Sequence, residues 1–337
     1  MIKEAIAKVI ARTNLTEAEA EAGMREIMQG EATDAQISSY ITALRMKGET
    51  VEEITGSARV MREKAVQIRL DARYQVDTCG TGGDMAHTFN ISTTAAFVVA
   101  AGGVTVAKHG NRSVSSKSGS ADVLQALGVN IEMPSHRAEE CIKEVGIGFL
   151  FAPMMHLAMK YAIGPRREIG VRTIFNLLGP LTNPAKVTSQ IMGVYSADLT
   201  GLLAQALGNL GARHAFVVHG MDGLDEITIT DRTKVSEYRD GKVKDYFLHP
   251  SDLGLGTGKP ADLKGGDGKD NAVIPLDILK GRKGPCRDIV LMNSAAALAA
   301  SGRSSDLKDG VKLAAESIDS GAALKKLEEL KAFTNKA

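Results

Sequence analysis

Two acidic residues, Asp225 and Glu226, stand side by side shortly after the apolar run Ala215–His219. Adjacent carboxylates repel one another unless water or a cation separates them, and Mg²⁺ binds proteins through one or two carboxylates, waters and substrate phosphates. The nearby pair Asp222 and Gly223 is more simply a turn. Asp225 and Glu226 are therefore the candidate metal ligands, with an ordinary pair of surface acids as the alternative.

A glycine-rich stretch, Asp77-Thr-Cys-Gly-Thr-Gly-Gly-Asp84, follows a short predicted strand. Glycines let the backbone approach a ligand closely and expose its N–H groups. The spacing matches neither a Walker A loop nor a dinucleotide fingerprint. Taken alone, this stretch is explained equally well by a tight turn between a strand and a helix.

Hydroxyl side chains cluster in Asn90-Ile-Ser-Thr-Thr94, immediately before the apolar run Ala95–Ala101. Hydroxyls and free N–H groups at the start of a helix form a ready anion site. Plain helix capping explains one hydroxyl, but it explains three in a row less well. The pattern favours an anion site at this helix start.

A second candidate anion site is the segment Lys108-His-Gly-Asn-Arg-Ser-Val-Ser-Ser-Lys-Ser-Gly-Ser120. It holds three cationic residues, five serines and two glycines, with no acid before Asp122. A loop rich in hydroxyls and positive charge suits a multiply charged phosphate ligand. A solvated surface loop is the alternative, and the lack of compensating acids argues against it.

Two adjacent arginines, Arg166 and Arg167, offer planar donor groups that match a carboxylate. One of them could hold an acidic substrate, whereas a structural salt bridge with Glu168 explains the local sequence equally well. Among the histidines near these segments, we take only His109 as a residue that contacts a ligand.

The elements that must position these segments are of two kinds. Residues 1–70 predict four short helices, because apolar residues recur at helical spacing and Thr16 with Glu19 forms a capping-box pattern. From about Tyr74, short apolar runs alternate with helix-length segments, which predicts an α/β domain with a largely parallel sheet. The candidate strands are Val104–Ala107, Val129–Met133, Gln190–Tyr195, Ala215–His219 and Ile227–Thr230.

Three further segments complete the predicted organisation. Residues 165–184 interrupt the alternation, and we interpret them as a crossing segment that returns to the helical unit. Leu253–Asn271 is rich in glycine and predicts a loop, whereas Ser305–Lys331 predicts one or two surface helices. The predicted division is a helical domain over residues 1–70 and an α/β domain over residues 74–337.

Composition limits the possible partners and location. Lys+Arg 41 against Asp+Glu 40 leaves no global basic field for nucleic acid or an anionic membrane. The cysteines, Cys79, Cys141 and Cys286, are few and far apart, which fits a reducing compartment. The N-terminus is a poor signal peptide and no long apolar stretch is present, so we expect a cytoplasmic protein.

Seven motifs, in this order, resemble the anthranilate phosphoribosyltransferase family over nearly the whole chain. They are Gly-Thr-Gly-Gly-Asp at 80–84, Asn-Ile-Ser-Thr at 90–93, Lys-His-Gly-Asn-Arg-Ser at 108–113, Ser-Gly-Ser-Ala-Asp at 118–122, Arg-Arg-Glu-Ile-Gly-Val-Arg-Thr at 166–173, Asn-Leu-Leu-Gly-Pro-Leu-Thr-Asn-Pro at 176–184 and His-Gly-Met-Asp-Gly-Leu-Asp-Glu at 219–226. The resemblance implies a nucleoside-phosphorylase-like α/β fold: a small all-helical domain beside a larger α/β domain with a central, mostly parallel sheet. It also implies a homodimer and an active site at the hinge between the domains.

The resemblance further implies a reaction and a set of site residues. The reaction would transfer the 5-phosphoribosyl group of phosphoribosyl pyrophosphate to the amine of anthranilate, in L-tryptophan biosynthesis. The donor site would be lined by Gly80, Gly83, Asp84, Thr88, Asn90, Ile91, Ser92, Thr93, Lys108, His109, Gly110, Asn111, Arg112, Ser113, Val114, Ser115, Ser116 and Ser120. Ser92, Asp225 and Glu226 would hold two Mg²⁺ ions per subunit, and Gly80, Asn111 and Arg166 would contact anthranilate. No side chain is required as a general base, and His109 is the one candidate for a catalytic role.

Two other functions fit parts of the pattern. A nucleoside phosphorylase on the same fold would use free phosphate without an acidic metal pair, so Asp225 and Glu226 argue against it. A non-catalytic relative that binds nucleic acid would need a basic surface and stacking aromatics. The near-neutral charge and the aromatic content of 4% argue against that function.

Overall fold

The N-terminal part of the chain is a group of four helices. The structure, a computed structural model, describes residues 1–84, 86–113, 118–265 and 270–336. The four helices are α1 (Ile2–Ile10), α2 (Glu17–Gln29), α3 (Asp34–Lys47) and α4 (Val51–Lys64). Reciprocal capping boxes open α2, α3 and α4, because each threonine N-cap is followed three residues later by Glu or Gln. The capping box predicted at Thr16 and Glu19 is confirmed.

The rest of the described chain alternates strands with helices. The strands are β1 (Gln75–Gly80), β2 (Thr105–Gly110), β3 (Ile147–Phe151), β4 (Ser189–Gly193), β5 (His214–Gly220), β6 (Thr233–Arg239) and β7 (Lys242–Leu248). The helices are α5 (Ile91–Ala101), α6 (Ser120–Ala126), α7 (Ser135–Val145), α8 (Ala152–Met155), α9 (Lys160–Ile169), α10 (Ile174–Leu181), α11 (Leu199–Asn209), α12 (Asp270–Leu279), α13 (Pro285–Ser301), α14 (Leu307–Asp319) and α15 (Ala322–Thr334). Short 3₁₀ turns lie at Leu157–Met159, Pro250–Leu253 and Pro260–Leu263.

The strands form one sheet in the order β3-β2-β1-β4-β5-β6-β7. Neighbours from β3 to β5 are parallel, and β6 and β7 extend the sheet as an antiparallel hairpin. The apolar helices α5 and α13 pack on each other and on the central strands. The predicted mostly parallel sheet is confirmed.

Two of the candidate strands are wrong. Val129–Met133 lies between α6 and α7 without strand pairing, and it buries Val129 and Ile131 in the core. In Ile227–Thr230, side chains take the hydrogen bonds that a neighbouring strand would have taken. The Ile227 N–H donates to Asn293 Oδ1 at 3.0 Å and the Thr228 N–H to Thr233 Oγ1 at 3.0 Å.

Three strands carried too little signal to be predicted. β3 is short and fully buried, so it has no alternation of polar and apolar residues. The edge hairpin β6–β7 carries charged side chains such as Lys234, Glu237 and Lys244, which hide its apolar face.

The segment from α9 to α10 packs with the N-terminal helices. Ile174, Leu178 and Leu181 are buried in the same apolar cluster as Met24 and Ile41. That cluster also includes side chains of α11, β4 and β5, so the helical group packs against one face of the sheet. The predicted division at residues 70–74 stays a prediction. Within the described ranges, no helix has the length and apolar character needed to cross a bilayer.

Candidate active site

The candidate site lies at the carboxyl ends of β1, β2, β4 and β5. In open α/β sheets, ligands bind outside the carboxyl ends of the strands, where neighbouring strands lead their connections in opposite directions. Here β1 leads away toward β2 and β3, whereas β4 and β5 extend the sheet on the other side. Gly80 and Gly193 are partners at the end of the β1–β4 ladder.

Asp225 packs directly against the glycines of this edge. Its Oδ2 accepts a hydrogen bond from the Gly82 N–H at 2.8 Å. A Cβ added at Gly80 would lie 2.6 Å from Asp225 Oδ2, and one at Gly193 would overlap the Asp225 carbonyl. Glycine is therefore required at position 193, where the backbone of Asp225 fills the space of a side chain. At position 80, glycine leaves room for the Asp225 carboxylate, which gives the glycine stretch a function that the sequence alone left open.

The two acids share a strained electrostatic environment. Burial raises the pKa of Asp225 well above its usual range, and the neighbouring carboxylates of Asp84 and Glu226 raise it further. Burial also raises the pKa of Glu226 to about 7, while Lys108 and the Ser92 N–H act in the opposite direction. Each carboxyl group therefore lacks enough partners for its charge.

The residues present fit a magnesium ion that is completed by a substrate. Among the described residues, no group of three or more His, Cys, Asp or Glu side chains forms a ready metal cage. Mg²⁺ does not require such a cage, because waters and phosphate oxygens usually fill most of its six positions. Asp225 and Glu226 remain partly exposed, and their raised pKa values show that an added positive charge would stabilise both.

The start of α5 is not explained by plain helix capping, which was the alternative to an anion site. The Asn90 side chain makes no capping hydrogen bond, and the Ser92 N–H donates instead to Glu226 Oε1 at 3.1 Å. Thr93 is buried in the helix, and Thr94 Oγ1 donates to the Asn90 carbonyl at 2.9 Å. The helix start is thus tied to the acidic pair, and Ser92 lies next to Glu226 as the metal prediction requires.

Lys108 is a buried cation beneath this edge. Its Nζ donates to the Thr78 carbonyl, and it lies 3.4 Å from Ser92 Oγ. Burial lowers the pKa of Lys108, and the carboxylates of Asp77 and Glu226 oppose that effect. The structure therefore brings Lys108, Ser92 and Glu226 together, although they lie on three different elements.

His109 lies beside a second histidine. The Nε2 atoms of His109 and His156 are 3.1 Å apart, and both rings are buried. Burial lowers the pKa of His156 to about 4 and lowers the pKa of His109 well below its usual range. Both rings are therefore neutral near pH 7, and a catalytic role for His109 stays a prediction.

In the segment Lys108–Ser120, which we call the basic loop, the positive charge of Arg112 is compensated by Asp122. Asp122 Oδ2 accepts from the Gly119 N–H at 2.9 Å and from the Ser113 N–H at 3.2 Å. Its Oδ1 accepts from Arg112 Nη1 at 2.9 Å. The expectation of an uncompensated basic loop is therefore wrong, because Asp122 folds back from α6 and neutralises Arg112.

The remaining donor-site predictions fall into three groups. Asn111 and Ser120 meet across the base of the loop, where Ser120 Oγ donates to the Asn111 carbonyl at 3.2 Å. Thr88 pairs with Lys264 in an isolated β-bridge. Val114, Ser115 and Ser116 lie outside the described residues.

The two arginines of α9, Arg166 and Arg167, differ in their exposure to solvent. Arg166 is half-buried, with its guanidinium 5.1 Å from the centre of the Phe175 ring, whereas Arg167 is exposed. Burial lowers the pKa of Arg166. Within the part of the chain that the structure describes, neither arginine forms an ion pair with Glu168. Arg166 is thus the better placed of the two to hold an acidic ligand.

Arg172 is a further residue of this region that was not predicted from the sequence. Its guanidinium donates to the Gly83 carbonyl and lies 4.2 Å from the centre of the Tyr195 ring. Arg172 therefore joins the segment between α9 and α10 to the glycine stretch. The residue lies within a motif that carried the resemblance, but nothing local distinguishes it from a surface arginine.

The chain is similar to known proteins over its whole length. Family models for a glycosyl transferase helical bundle domain and a glycosyl transferase a/b domain match residues 3–65 and 72–324. A protein named anthranilate phosphoribosyltransferase from Acetivibrio thermocellus is 57% identical over 335 residues, which are 99% of this chain and 97% of that protein. A protein of the same name from Geotalea daltonii is 56% identical over 349 residues, which cover 99% and 100% of the two chains. This chain belongs to the anthranilate phosphoribosyltransferase family.

Solved structures of family members have the same fold. The enzyme from Thermus thermophilus gives a TM-score of 0.93 at 44% identity, covering 98% of this chain and 99% of that one. The Saccharomyces cerevisiae enzyme in complex with PRPP and Mg gives 0.88 at 30% identity, covering 99% and 97%. The predicted nucleoside-phosphorylase-like fold class, a small helical part beside a larger α/β part, is confirmed.

Proposed function

We propose that this chain transfers the 5-phosphoribosyl group from phosphoribosyl pyrophosphate to the amine of anthranilate, in L-tryptophan biosynthesis. The products are N-(5-phosphoribosyl)anthranilate and pyrophosphate. Family membership supports the reaction, and one observation in the molecule carries it. At a single sheet edge, the under-compensated acids Asp225 and Glu226 are adjacent, and the cation Lys108 lies close to Glu226 and Ser92.

Opposite charges at one edge suit a magnesium–pyrophosphate group. The yeast homologue has been crystallised with PRPP and Mg, which supports the same donor and metal here. Asp225, Glu226 and Ser92 would hold the metal, for which we propose two Mg²⁺ ions per subunit. When bound, Mg²⁺ would neutralise negative charge that grows on the leaving pyrophosphate.

The chain's own groups act on both substrates. As the bond to pyrophosphate stretches, the positive charge of Lys108 stabilises the negative charge that grows on the departing oxygens. Arg166 orients anthranilate through its carboxylate, so that the amine faces the anomeric carbon. The homologue complex with 4-fluoroanthranilate supports an acceptor of this class.

The proton that leaves the amine needs no side-chain base. Burial lowers the pKa of His109 and of His156, which makes both rings weak bases, and the anthranilate carboxylate lies next to its own amine. Closure of the helical group toward the sheet edge would exclude water, which otherwise hydrolyses the donor.

We also propose a cytoplasmic homodimer. Ile10 and Met46, on α1 and α3 of the helical group, are large apolar side chains exposed at 67% and 72%. Because α1 packs on α3, we propose that these two side chains belong to an interface between two copies of the chain. Light scattering on the purified protein tests the dimer, because a monomeric mass at micromolar concentration would contradict it.

The reaction can be tested with three components. Anthranilate, phosphoribosyl pyrophosphate and Mg²⁺ are mixed with the protein, and anthranilate and pyrophosphate are followed by chromatography. We expect anthranilate to disappear with formation of an equimolar amount of pyrophosphate. Phosphorolysis of a pyrimidine nucleoside without anthranilate transfer would favour the nucleoside phosphorylase alternative.

A further inference from the structure

Strands β1 and β2 separate before they reach the site. They pair only as far as Val76 and Val106. On their other sides, the pairing of β1 with β4 continues to Gly80, and that of β2 with β3 continues to Gly110. The sheet is therefore split along one line at its carboxyl edge. The glycine stretch follows β1 on one side of the split, and the Lys108 segment follows β2 on the other side.

Two buried polar side chains fill this split. Asp77 Oδ1 accepts from the His109 N–H at 3.1 Å, and Asp77 Oδ2 accepts from Asn183 Nδ2 at 2.8 Å. Asn183 Nδ2 also donates to the Ala107 carbonyl at 2.8 Å. The exposed fractions of Asp77 and Asn183 are 0% and 1%. Their side chains thus supply the hydrogen bonds that a continued β1–β2 ladder would have supplied.

The pair is anchored from a third element. Asn183 follows α10, and its Oδ1 accepts from the Ala185 N–H at 2.8 Å. Both carboxylate oxygens of Asp77 and both polar atoms of the Asn183 amide are therefore hydrogen-bonded, which fixes the amide orientation. Beyond them, Lys108 Nζ crosses the same split to the Thr78 carbonyl.

We propose that Asp77 and Asn183 are positioning residues that set the separation of the β1 and β2 carboxyl ends, so that the glycine stretch and the Lys108 segment meet on one phosphoribosyl pyrophosphate. This inference rests on the proposed function. Burial keeps both side chains from touching a substrate, so they act through the backbone of His109 and Ala107. Burial raises the pKa of Asp77 and lowers that of Lys108, and the attraction between these two groups opposes both effects.

Asp77→Asn changes one atom of this arrangement and keeps its shape. The new amide can accept from the His109 N–H, but its NH₂ group then faces the Asn183 NH₂ group. If the Asn183 amide turns over to relieve that conflict, the Ala107 carbonyl and the Ala185 N–H lose their partners. Buried polar groups without hydrogen-bond partners destabilise the local arrangement, so the carboxyl ends of β1 and β2 should move relative to each other.

The experiment compares Asp77→Asn with Asn183→Ser and with a matched control, Glu53→Gln. Glu53 is also a fully buried carboxylate that accepts backbone hydrogen bonds, but it lies in the helical group. For the two site variants, we expect the KM for phosphoribosyl pyrophosphate to rise roughly tenfold to a hundredfold. The KM for anthranilate should change by less than about threefold. The His109 amide should exchange its hydrogen faster in Asp77→Asn.

Distinct outcomes would overturn the inference. An unchanged KM for phosphoribosyl pyrophosphate in folded Asp77→Asn would do so, as would a rise of the same size in Glu53→Gln. If Asp77→Asn does not fold, the same criteria apply to Asn183→Ser. If the wild-type protein binds phosphoribosyl pyrophosphate but transfers nothing to anthranilate, the proposed function fails. Dissociation constants for the donor then still decide the inference.

Discussion

Carboxylates with little contact with water occur in both parts of the molecule, fully buried in the helical group and half-buried at the sheet edge, and their charges are compensated differently. In the helical group, Glu53 accepts from the Leu15 and Thr50 N–H groups at 2.9 Å and forms an ion pair with Lys47 at 2.9 Å. At the sheet edge, Asp225 has one such backbone donor and two carboxylates as neighbours. The charge of Glu53 is compensated by groups of the protein itself, whereas the charge of Asp225 needs a bound cation to compensate it.

This difference distinguishes a carboxylate that stabilises the fold from carboxylates that are placed to bind a ligand. An ion pair that is removed from water destabilises a protein when one partner is lost, because the other charge remains buried. Charges of one sign, placed together without partners, instead reduce stability until a ligand arrives. Glu53 should therefore matter for folding, and the acidic edge should matter for turnover.

The largest effect should follow from neutralising the acidic edge. In Asp225→Asn with Glu226→Gln, we expect turnover to fall by roughly 10²–10³-fold, because the charge that would hold the metal is gone. Thermal stability should not fall, since two poorly compensated carboxylates are removed. Asp231→Asn, an exposed acid nearby, is the control. Full turnover of the double variant at every magnesium concentration would remove these residues from the mechanism.

The opposite pattern should appear in the helical group. Glu53→Gln should lower the free energy of unfolding by about 3 kcal/mol, because Lys47 is left buried without its partner. Denaturant titration measures this loss, and turnover per folded molecule should remain that of wild type. Glu63→Gln removes the exposed pair with Arg25 and should change the free energy by less than about 1 kcal/mol. Equal stabilities of these two variants would contradict the comparison.

The acceptor side should respond separately from the donor side. Arg166→Ala should raise the KM for anthranilate roughly tenfold to a hundredfold, because a charge-assisted hydrogen bond to the substrate carboxylate is lost. The KM for phosphoribosyl pyrophosphate should change much less. Arg167→Ala, on the exposed side of α9, serves as the control. A defect confined to the donor would reverse the assignment of Arg166.

The smallest effect concerns pH. Glu226 has a folded-state pKa of about 7 against an ordinary value of 4.5, so between these values the folded state holds a proton that the unfolded state has released. Its contribution to stability is therefore present below about pH 4.5 and lost as the pH rises through about 7. The variant Glu226→Gln has no titrating carboxyl group at this position, so it does not lose this stability as the pH rises.

We thus expect the melting temperature of Glu226→Gln, minus that of wild type, to increase by a few degrees between about pH 5 and pH 8. Both proteins are measured without metal, in the presence of a chelator. The subtraction removes the titration of His109 and His156, which both proteins share. Loss of the Glu226 charge also lowers the pKa of Asp225, which changes the difference in the same direction. A difference that is constant or decreases with pH would contradict a raised pKa at Glu226.

Local sequence patterns predicted some features and could not predict others. The capping box at Thr16 and the acidic pair at 225–226 were visible because each depends on neighbours in sequence. The partner of His109 could not be predicted, since His156 lies on a separate element. The role of Asp122 was missed because a charge count along the loop cannot show that α6 folds back onto it.

The strand errors have the same origin. Val129–Met133 has the apolar content of a strand, yet no neighbouring strand is available to it, and only the sheet order shows this. The split between β1 and β2 is equally invisible in the sequence. It depends on Asn183 reaching Asp77 from a segment that is remote in the chain.

We propose that Asp225 and Glu226 bind a metal ion together with the sugar donor. The most direct test is to titrate Mn²⁺, in place of Mg²⁺, into the metal-free protein with and without phosphoribosyl pyrophosphate. Electron paramagnetic resonance reports the free ion. We predict weak binding to the protein alone and much tighter binding with the donor present, lost in Asp225→Asn with Glu226→Gln. Donor-dependent binding of equal strength in the double variant would contradict the assignment of this edge.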